Sequence, residues 1–458
     1  MKNTAFECMK STSMMIAVAA VVASFCASVL SAQPSKIQTS VPVRELSAPT
    51  VATPTFSNIF SVRQIAAGQV LVNDAVRRQL IVLDNKLTAA RIVLDSVTQP
   101  GVEGYGPVAA PIIAYLADST FFLDRASLGL LVIDPNGKVI RSAAAPMPRG
   151  AFNWLTASAS SVDYAGSLLL RAVTPTPTRR IGDTTATLIT EESRQPDSTY
   201  ILRANFDTRK MDTVARLKQV GGTRSVRTRL PDQRAGMPRL VVSPFETLDD
   251  WTTLADGTIA LVRGGDYHVD FLRPSGKWES SAKLPFDWKP ITDADKQRIV
   301  DSTRAYIDAV VAKALATGGP AAALDAQRDA LIGSLVTLPG AIPAVPRPAE
   351  PARPGVEYPL FAYEFVPFKE MPSYFPPLRM GYTKGDADGN LWILPTTSAQ
   401  SKAGELVYDV VSSKGVLTER VRVPLGRAIA GFGAGGVVYL TNREVNGLWH
   451  LERSRVLR

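Results

Sequence analysis

The sequence predicts an all-β fold: a six-bladed β-propeller with a helical hairpin inserted between its fourth and fifth blades. Three observations carry that reading. Short apolar runs recur behind turns rich in Gly and Asp. Each is followed by second and third runs joined by a tight turn. One stretch of helical spacing with a proline-rich tail interrupts the series. A short continuous apolar run reads as a strand buried on both faces. Four-strand units repeated around a ring bury those faces against their neighbours, which no unit could do alone.

Six segments share this grammar. They are Gly68 to Leu94, Asp118 to Ile140, a split third from Gly166 and Ser198, Asp256 to Trp278, a fifth from Asp388 and Gly404, and Gly435 to Val456. The turn residues tolerate positive φ and lead into the second strand of each unit. Third and fourth strands form hairpins around turns such as DPNGK and RPSGK. The last segment lacks a fourth strand, and Ile37 to Leu46 is expected to supply it and close the ring. A pair of β-sandwiches is the rival architecture.

This blade pattern resembles the secreted bacterial six-bladed propellers of the NHL, YWTD and TolB-like type. The resemblance covers most of the chain after its leader and concerns fold only. It implies one enzymatic alternative, a metal-dependent hydrolase, lactonase or lyase of the propeller type. Asn73, Asp74 and Asp124 are the side chains that could contribute to such a channel metal.

Residues 1–32 are expected to be a signal peptide. Lys2 and Lys10 flank an apolar run, Ile16 to Leu30, whose length of about 15 residues is short for a membrane span. Cys8 and Cys26 both lie in that leader, so the mature chain would hold no thiol or disulfide, as suits an oxidising compartment. The expected setting is periplasmic or secreted, in a bacterium. Residues 33–55 form an N-terminal segment with the closing strand, 56–458 the propeller, and 286–375 its insertion.

Two connections break the rhythm. Lys218 to Asp250 reads as a basic, turn-rich link carrying Arg224, Arg227, Arg229, Arg234 and Arg239. The insertion opens at Thr292, an N-cap candidate followed by Asp293 and Asp295. Ile299, Thr303, Tyr306, Ile307, Val310, Val311 and Ala314 then fall on one helical face, and Gly318-Gly319-Pro320 stops that helix. A second helix is expected from Ala321 to Val336, then an extended linker from Pro339 to Pro359.

The catalytic inventory is thin. His268 and His450 are the two histidines, without ligand spacing, and no transition-metal site is expected. Calcium is considered at Asp386-Ala-Asp388-Gly389-Asn390. An EF-hand loop counted from Asp386 would need Gly at Leu391 and an acid at Thr397. The turn reading is therefore preferred, and no cofactor is expected. No G-x-S-x-G elbow and no P-loop occurs, so no catalytic residue is assigned and an enzyme is not the favoured reading.

What remains is positional. Aligned second strands end with Asp74, Asp124, Arg125, Arg171 and Arg263 on the face of the second-to-third-strand loops. Both interrupting connections should sit there too. These five residues are the expected ligand site, suited to an anion through the planar fork of arginine. Paired loop charges are the competing reading. The partner is an anionic small molecule, a peptide or an envelope protein. Nucleic acid is disfavoured, because the net charge of +9 is spread along the chain. A monomer without a membrane span is expected after leader removal, and the helical insertion could serve as lid or docking surface.

Overall fold

A computed structural model describes residues 41–96, 104–106, 111–124, 129–144, 160–172, 178–181, 189–194, 196–220, 222, 224–229, 238–333, 359–398, 400–402 and 405–458. Residues 1–40, which include the expected signal peptide, Arg125, Arg234 and most of the proline-rich stretch lie outside them. Everything below falls within Pro42–Arg458, one compact unit.

Among the described residues the strands form seven sheets, nearly all of whose pairings are antiparallel. Six follow one another along the chain. Their first strands are Ile59–Gln64, Ile112–Ala114, Ser160–Val162, Asp250–Thr253, Thr383–Gly385 and Arg427–Gly433. Their second strands are Val70–Asp74, Thr120–Asp124, Leu168–Arg171, Ile259–Arg263, Leu391–Ile393 and Val437–Arg443.

The apolar second strands explain the packing, because side chains on a strand alternate between faces. In the third sheet Leu168 and Leu170 pack towards the second sheet, while Leu169 packs towards the fourth. In the fourth, Ile259 and Leu261 face back to the third, and Ala260 and Val262 face the fifth. Trp392 and Leu394 of the fifth meet Val438 and Leu440 of the sixth. Val437 and Tyr439 of the sixth meet Val70 and Val72 of the first. Each sheet thus buries both faces against its two neighbours, and the sixth returns to the first.

The first strands also touch in sequence. Ile59–Gln64 lies against Ile112–Ala114 and Arg427–Gly433, and the contacts continue through Ser160–Val162 and Asp250–Thr253 to Thr383–Gly385. Two glycines permit the closest approaches. A Cβ on Gly385 would stand 2.2 Å from the Thr253 carbonyl oxygen, and one on Gly431 would stand 2.1 Å from that of Val62.

The N-terminal pairing differs from the expected one. Thr50–Val51 pairs antiparallel with Trp449–Arg455 as the outer strand of the sixth sheet, and Leu46 bridges Val456. Val43–Arg44 instead runs parallel to Leu417–Val423 at the edge of the fifth sheet. The segment crosses from one sheet to the next, which a single expected strand over Ile37 to Leu46 did not allow.

The seventh sheet was not foreseen. It is ordered Thr178–Ile181, Ile189–Arg194, Arg224–Arg229, Arg239–Val242 and Tyr363–Phe365. Three separate parts of the chain build it. A hairpin leaves the third sheet after Arg171, the arginine-rich link supplies two strands, and the segment before the fifth sheet supplies the last. The link expected to be turns supplies strands that pair with the acid-bearing hairpin, where Glu191 stands opposite Arg227. Arg224 meets Glu192 at 3.3 Å and Glu370 at 3.1 Å, and Arg179 meets Glu192 at 3.2 Å.

Helix α1, Asp293–Gly333, lies in sequence between the fourth and fifth sheets and is broken at Gly319, with φ 74° and ψ −167°. Its start is a reciprocal cap. Thr292 Oγ1 accepts from Asp295 N at 3.1 Å, and Asp295 Oδ2 accepts from Thr292 N at 3.0 Å. Bonds from Thr292 and Arg298 hold the Asp295 carboxyl down at about 2. Asp293–Arg328 is long and apolar enough, by length and composition, to cross a membrane. In this structure its apolar stripe covers the seventh sheet: Ile307, Val310 and Val311 pack with Val242, Leu240 and Tyr363, and Ile299 and Val300 with Val241 and Phe245.

Candidate functional site

The five residues singled out from sequence meet different fates. The Asp74 carboxylate is fully buried and accepts backbone hydrogens from Ser57 at 2.8 Å, Asn58 at 3.2 Å and Arg77 at 3.2 Å. It fastens a turn to the start of the first sheet. Asp124 ends its strand opposite Gly129, its side chain is not described, and Arg125 lies outside the described residues. Arg171 and Arg263 do converge, on Asp249. Arg171 Nη2 donates to the Asp249 carbonyl at 2.8 Å, and Arg263 Nη1 to its Oδ2 at 2.7 Å. Arg263 is occupied further by Asp270 Oδ2 at 2.7 Å and the Arg216 carbonyl at 2.9 Å.

Arg171 is the way into a larger polar cluster. It is only 6% exposed, and its Nη2 stands 3.9 Å from Asp250 Oδ1. Asp250, 1% exposed, opens the first strand of the fourth sheet. Its Oδ2 accepts from Thr383 N at 3.0 Å and Thr383 Oγ1 at 2.7 Å, across to the fifth sheet. Its Oδ1 is buried and has no hydrogen-bond partner. Lys384 follows Thr383 and donates to none of the described residues. It keeps part of its surface accessible, yet burial among protein atoms lowers its pKa against the opposing pull of Asp250.

Glu246 and Arg379 complete the cluster. Burial raises the Glu246 pKa, with Arg171 and Arg379 opposing. Burial lowers that of Arg379, with Tyr382 and Glu246 opposing. It likewise lowers Arg171 against Asp250, Asp249 and Glu246. Removing charges from water is costly unless partners replace it, and shifted titrations grouped around unmet polar atoms mark candidate functional sites.

The fold explains the grouping. Arg171 ends the second strand of the third sheet, immediately before the hairpin that enters the seventh. Glu246 follows Arg239–Val242 on its way into the fourth sheet. Arg379 and Lys384 lie where the chain arrives from Tyr363–Phe365 into the fifth. The three routes into the seventh sheet therefore start or end at the cluster. Of these residues the sequence singles out Arg171 alone. A signal for the others existed in the charges that interrupt first strands, the acid pair in LDDW and the lysine in YTKG.

The other candidates are structural. Asp386 accepts from Asp388 N at 3.0 Å, Asn390 N at 2.7 Å, Asn390 Nδ2 at 2.9 Å and Trp392 Nε1 at 2.9 Å. Asp388 accepts from Gly435 N at 2.8 Å and Gly436 N at 2.7 Å in the sixth sheet. Protein donors thus occupy the oxygens that a calcium ion would use. No group of three His, Cys, Asp or Glu among the described residues could hold a metal. His268 pairs with Asp266 at 2.6 Å, and His450 with Glu444 at 2.5 Å. A cleft of about 490 Å³ opens elsewhere, between the sixth and first sheets, lined by Gln64, Asn85, Tyr439 and Arg453 among others. Two bonds brace its walls: Arg453 donates to the Asn85 carbonyl at 2.7 Å, and Tyr439 to Gln64 at 3.2 Å. Asp250 Oδ1, buried without a donor, makes the cluster the stronger candidate.

No family model matches the chain, and no curated protein matches it. Among solved structures it is similar to a streptogramin B lyase, with 8% identity, a TM-score of 0.32, and coverage of 90% of this chain and 97% of that one. A gluconolactonase from Xanthomonas campestris matches with 9% identity and a TM-score of 0.35, over 91% and 97% of the two chains. The calcium-binding protein regucalcin from Agrobacterium tumefaciens matches with 10% identity and a TM-score of 0.33, over 91% and 96%. Scores of this size leave the architecture and chemistry of this chain to its own strands and side chains.

Proposed function

We propose that this chain is an exported six-bladed β-propeller that binds a small polar ligand at one end of its central channel. Each of the six consecutive sheets is a blade. The sequential contacts of their first strands support a channel lined by those strands, and the return of the sixth sheet to the first supports closure. The seventh sheet and α1 act as a fixed roof. Ile299, Ile307, Val310 and Val311 of α1 pack on that sheet, which favours a roof over a docking helix.

The observation that carries the binding reading is a buried charge cluster where the third, fourth and fifth sheets meet: Arg171, 6% exposed, stands 3.9 Å from Asp250 Oδ1, which has no hydrogen-bond donor, and Asp250 is 1% exposed. A buried carboxylate oxygen without a donor is costly, and such costs gather at functional sites. Lys384, next to Thr383, keeps part of its surface accessible and offers a cation to a polar ligand. Arg171, Glu246 and Arg379 set the charge around it. Binding, rather than turnover, is the reading these residues support.

The test is a thermal-shift screen of polar metabolites against the wild type and a Lys384→Met, Asp250→Asn double variant. Compounds that raise the melting midpoint of the wild type and not of the variant are expected. Hits that shift both proteins equally, or no hits at all, contradict the assignment.

A further inference from the structure

We propose that the cleft between the sixth and first sheets is a second ligand site, for a single sugar that carries an anionic group, a sugar phosphate or a sugar acid. It is separate from the buried cluster. The turns that border it, at Ala67, at Asn85 and at Ala434, join first to second or third to fourth strands. Arg171 and Arg263 end second strands. The cleft and the cluster therefore lie at opposite ends of the sheets.

Charge is the first observation. Arg453 and Arg455 stand two residues apart on the strand Trp449–Arg455, so both project from one face. Both line the cleft, and among the described residues no Asp or Glu does. The acids near in sequence or space are spent elsewhere. Glu452 pairs with Arg427 at 2.6 Å, Glu45 pairs with Arg422, and Asp84 accepts the amides of Thr88 at 2.7 Å and Ala89 at 3.1 Å. Arg453 is braced across the cleft on the Asn85 carbonyl at 2.7 Å. The Arg455 guanidinium makes no hydrogen bond or ion pair among the described residues. It lies beside Gly435, where an added Cβ would stand 3.3 Å from its Nη1. A cleft lined by one sign of charge focuses its field on a counter-ion, and the fork of arginine fits phosphate and carboxylate alike.

The neutral lining is the second observation. Gln64 spends Oε1 on the Tyr439 hydroxyl at 3.2 Å, and its amide nitrogen makes no bond among the described residues. The Asn85 side-chain amide and the Thr50 hydroxyl are unspent in the same sense. Amides and hydroxyls donate and accept without charge, which is what sugar hydroxyls require.

Size and surface make the third. About 490 Å³ falls within the range of small-molecule sites, about 300–1,000 Å³. Tyr439 is the aromatic residue among those lining the cleft and is only 1% exposed. No ring face is offered for a base to stack on, which favours a sugar anion over a nucleotide.

Isothermal titration of the intact protein with glucose 6-phosphate, glucuronate, glucose and inorganic phosphate tests this. At least one sugar anion should bind about tenfold or more tightly than both glucose and inorganic phosphate, since it alone meets both sets of groups. Which of the two binds tells phosphate from carboxylate. Arg455→Gln, at an exposed side chain without a protein partner, should weaken that binding by about tenfold or more. Asn85→Ala, on the facing wall, should weaken it as well, and serves if Arg455→Gln does not fold. The Lys384→Met, Asp250→Asn variant should bind the sugar anion as the wild type does. Binding by neither sugar anion, equal binding by glucose or by inorganic phosphate, or binding unchanged in folded Arg455→Gln and Asn85→Ala overturns the proposal. Loss of binding in the Lys384→Met, Asp250→Asn variant alone overturns it too, by moving the ligand to the cluster. Run in the Arg455→Gln background, the thermal-shift screen above reads the cluster by itself, so the two sites stand or fall separately.

Discussion

Asp250 and Thr383 join the fourth and fifth sheets through one carboxylate oxygen, which accepts both the backbone nitrogen and the hydroxyl of Thr383 at 3.0 and 2.7 Å. The other oxygen is left facing Arg171 at 3.9 Å. One residue thus ties two sheets together and holds an unmet acceptor at the candidate site.

The tie should be measurable on its own. Thr383→Val removes the hydroxyl donor to a buried charge and keeps the backbone bond. A hydrogen bond to a charged group contributes about 1.5–3 kcal/mol. Urea denaturation should show a loss within that range. No loss would mean the hydroxyl bond contributes nothing.

Close packing of the first strands gives a second prediction. Gly385→Ala and Gly431→Ala would press a methyl group against a backbone carbonyl on the neighbouring sheet. Overpacking of this kind costs about 1–3 kcal/mol, occasionally more. Both variants should melt lower than Gly276→Ala combined with no such contact, where a Cβ meets nothing within 4 Å and only the positive φ of 83° is strained. Equal losses at all three positions would remove the support for abutting first strands.

The turn at Asp386 gives a third. Asp386→Ala strips an acceptor from four donors, one of them the indole of buried Trp392. A fall of several kcal/mol in unfolding free energy is expected, at about 1.5–3 kcal/mol per charge-assisted bond with strong non-additivity. Chelator treatment of the wild type should leave its melting midpoint unmoved. A chelator-sensitive midpoint restored by calcium would revive the metal reading of that loop.

Glu246 gives a fourth, in pH. Burial raises its folded pKa above the ordinary glutamate value of 4.5. Between the unfolded and folded values the native state holds the proton and the unfolded state has lost it. Stability from this group is therefore fully present below the unfolded pKa and lost as pH rises through the folded one. Glu246→Gln removes the dependence. The stability of Glu246→Gln relative to wild type should rise as pH increases from acid to neutral. A difference independent of pH would contradict a raised Glu246.

The alternating sheets were legible because buried second strands leave an apolar signature that little else imitates. Leu168, Leu169 and Leu170 read as a strand buried on both faces, and they pack on two different neighbours. The Asp386 turn was legible as well, because Asp163 binds the amides of Ala165 and Ser167 with the same spacing. The seventh sheet was not legible. Its strands come from three distant places, and sequences such as RSVRTR look like basic linker until Glu192 stands opposite. Of the candidate cluster the sequence singled out Arg171 alone. Asp250 and Thr383 are distant in sequence, and their bond reaches from the fourth sheet to the fifth.

The central claim is that the cluster holding Arg171, Asp250 and Lys384 binds a small polar ligand. The thermal-shift screen of the wild type against the Lys384→Met, Asp250→Asn double variant tests it most directly. Compounds that raise the midpoint of the wild type and leave that of the variant unmoved are the expected result. Equal shifts in both proteins, or no shift in either, would contradict it.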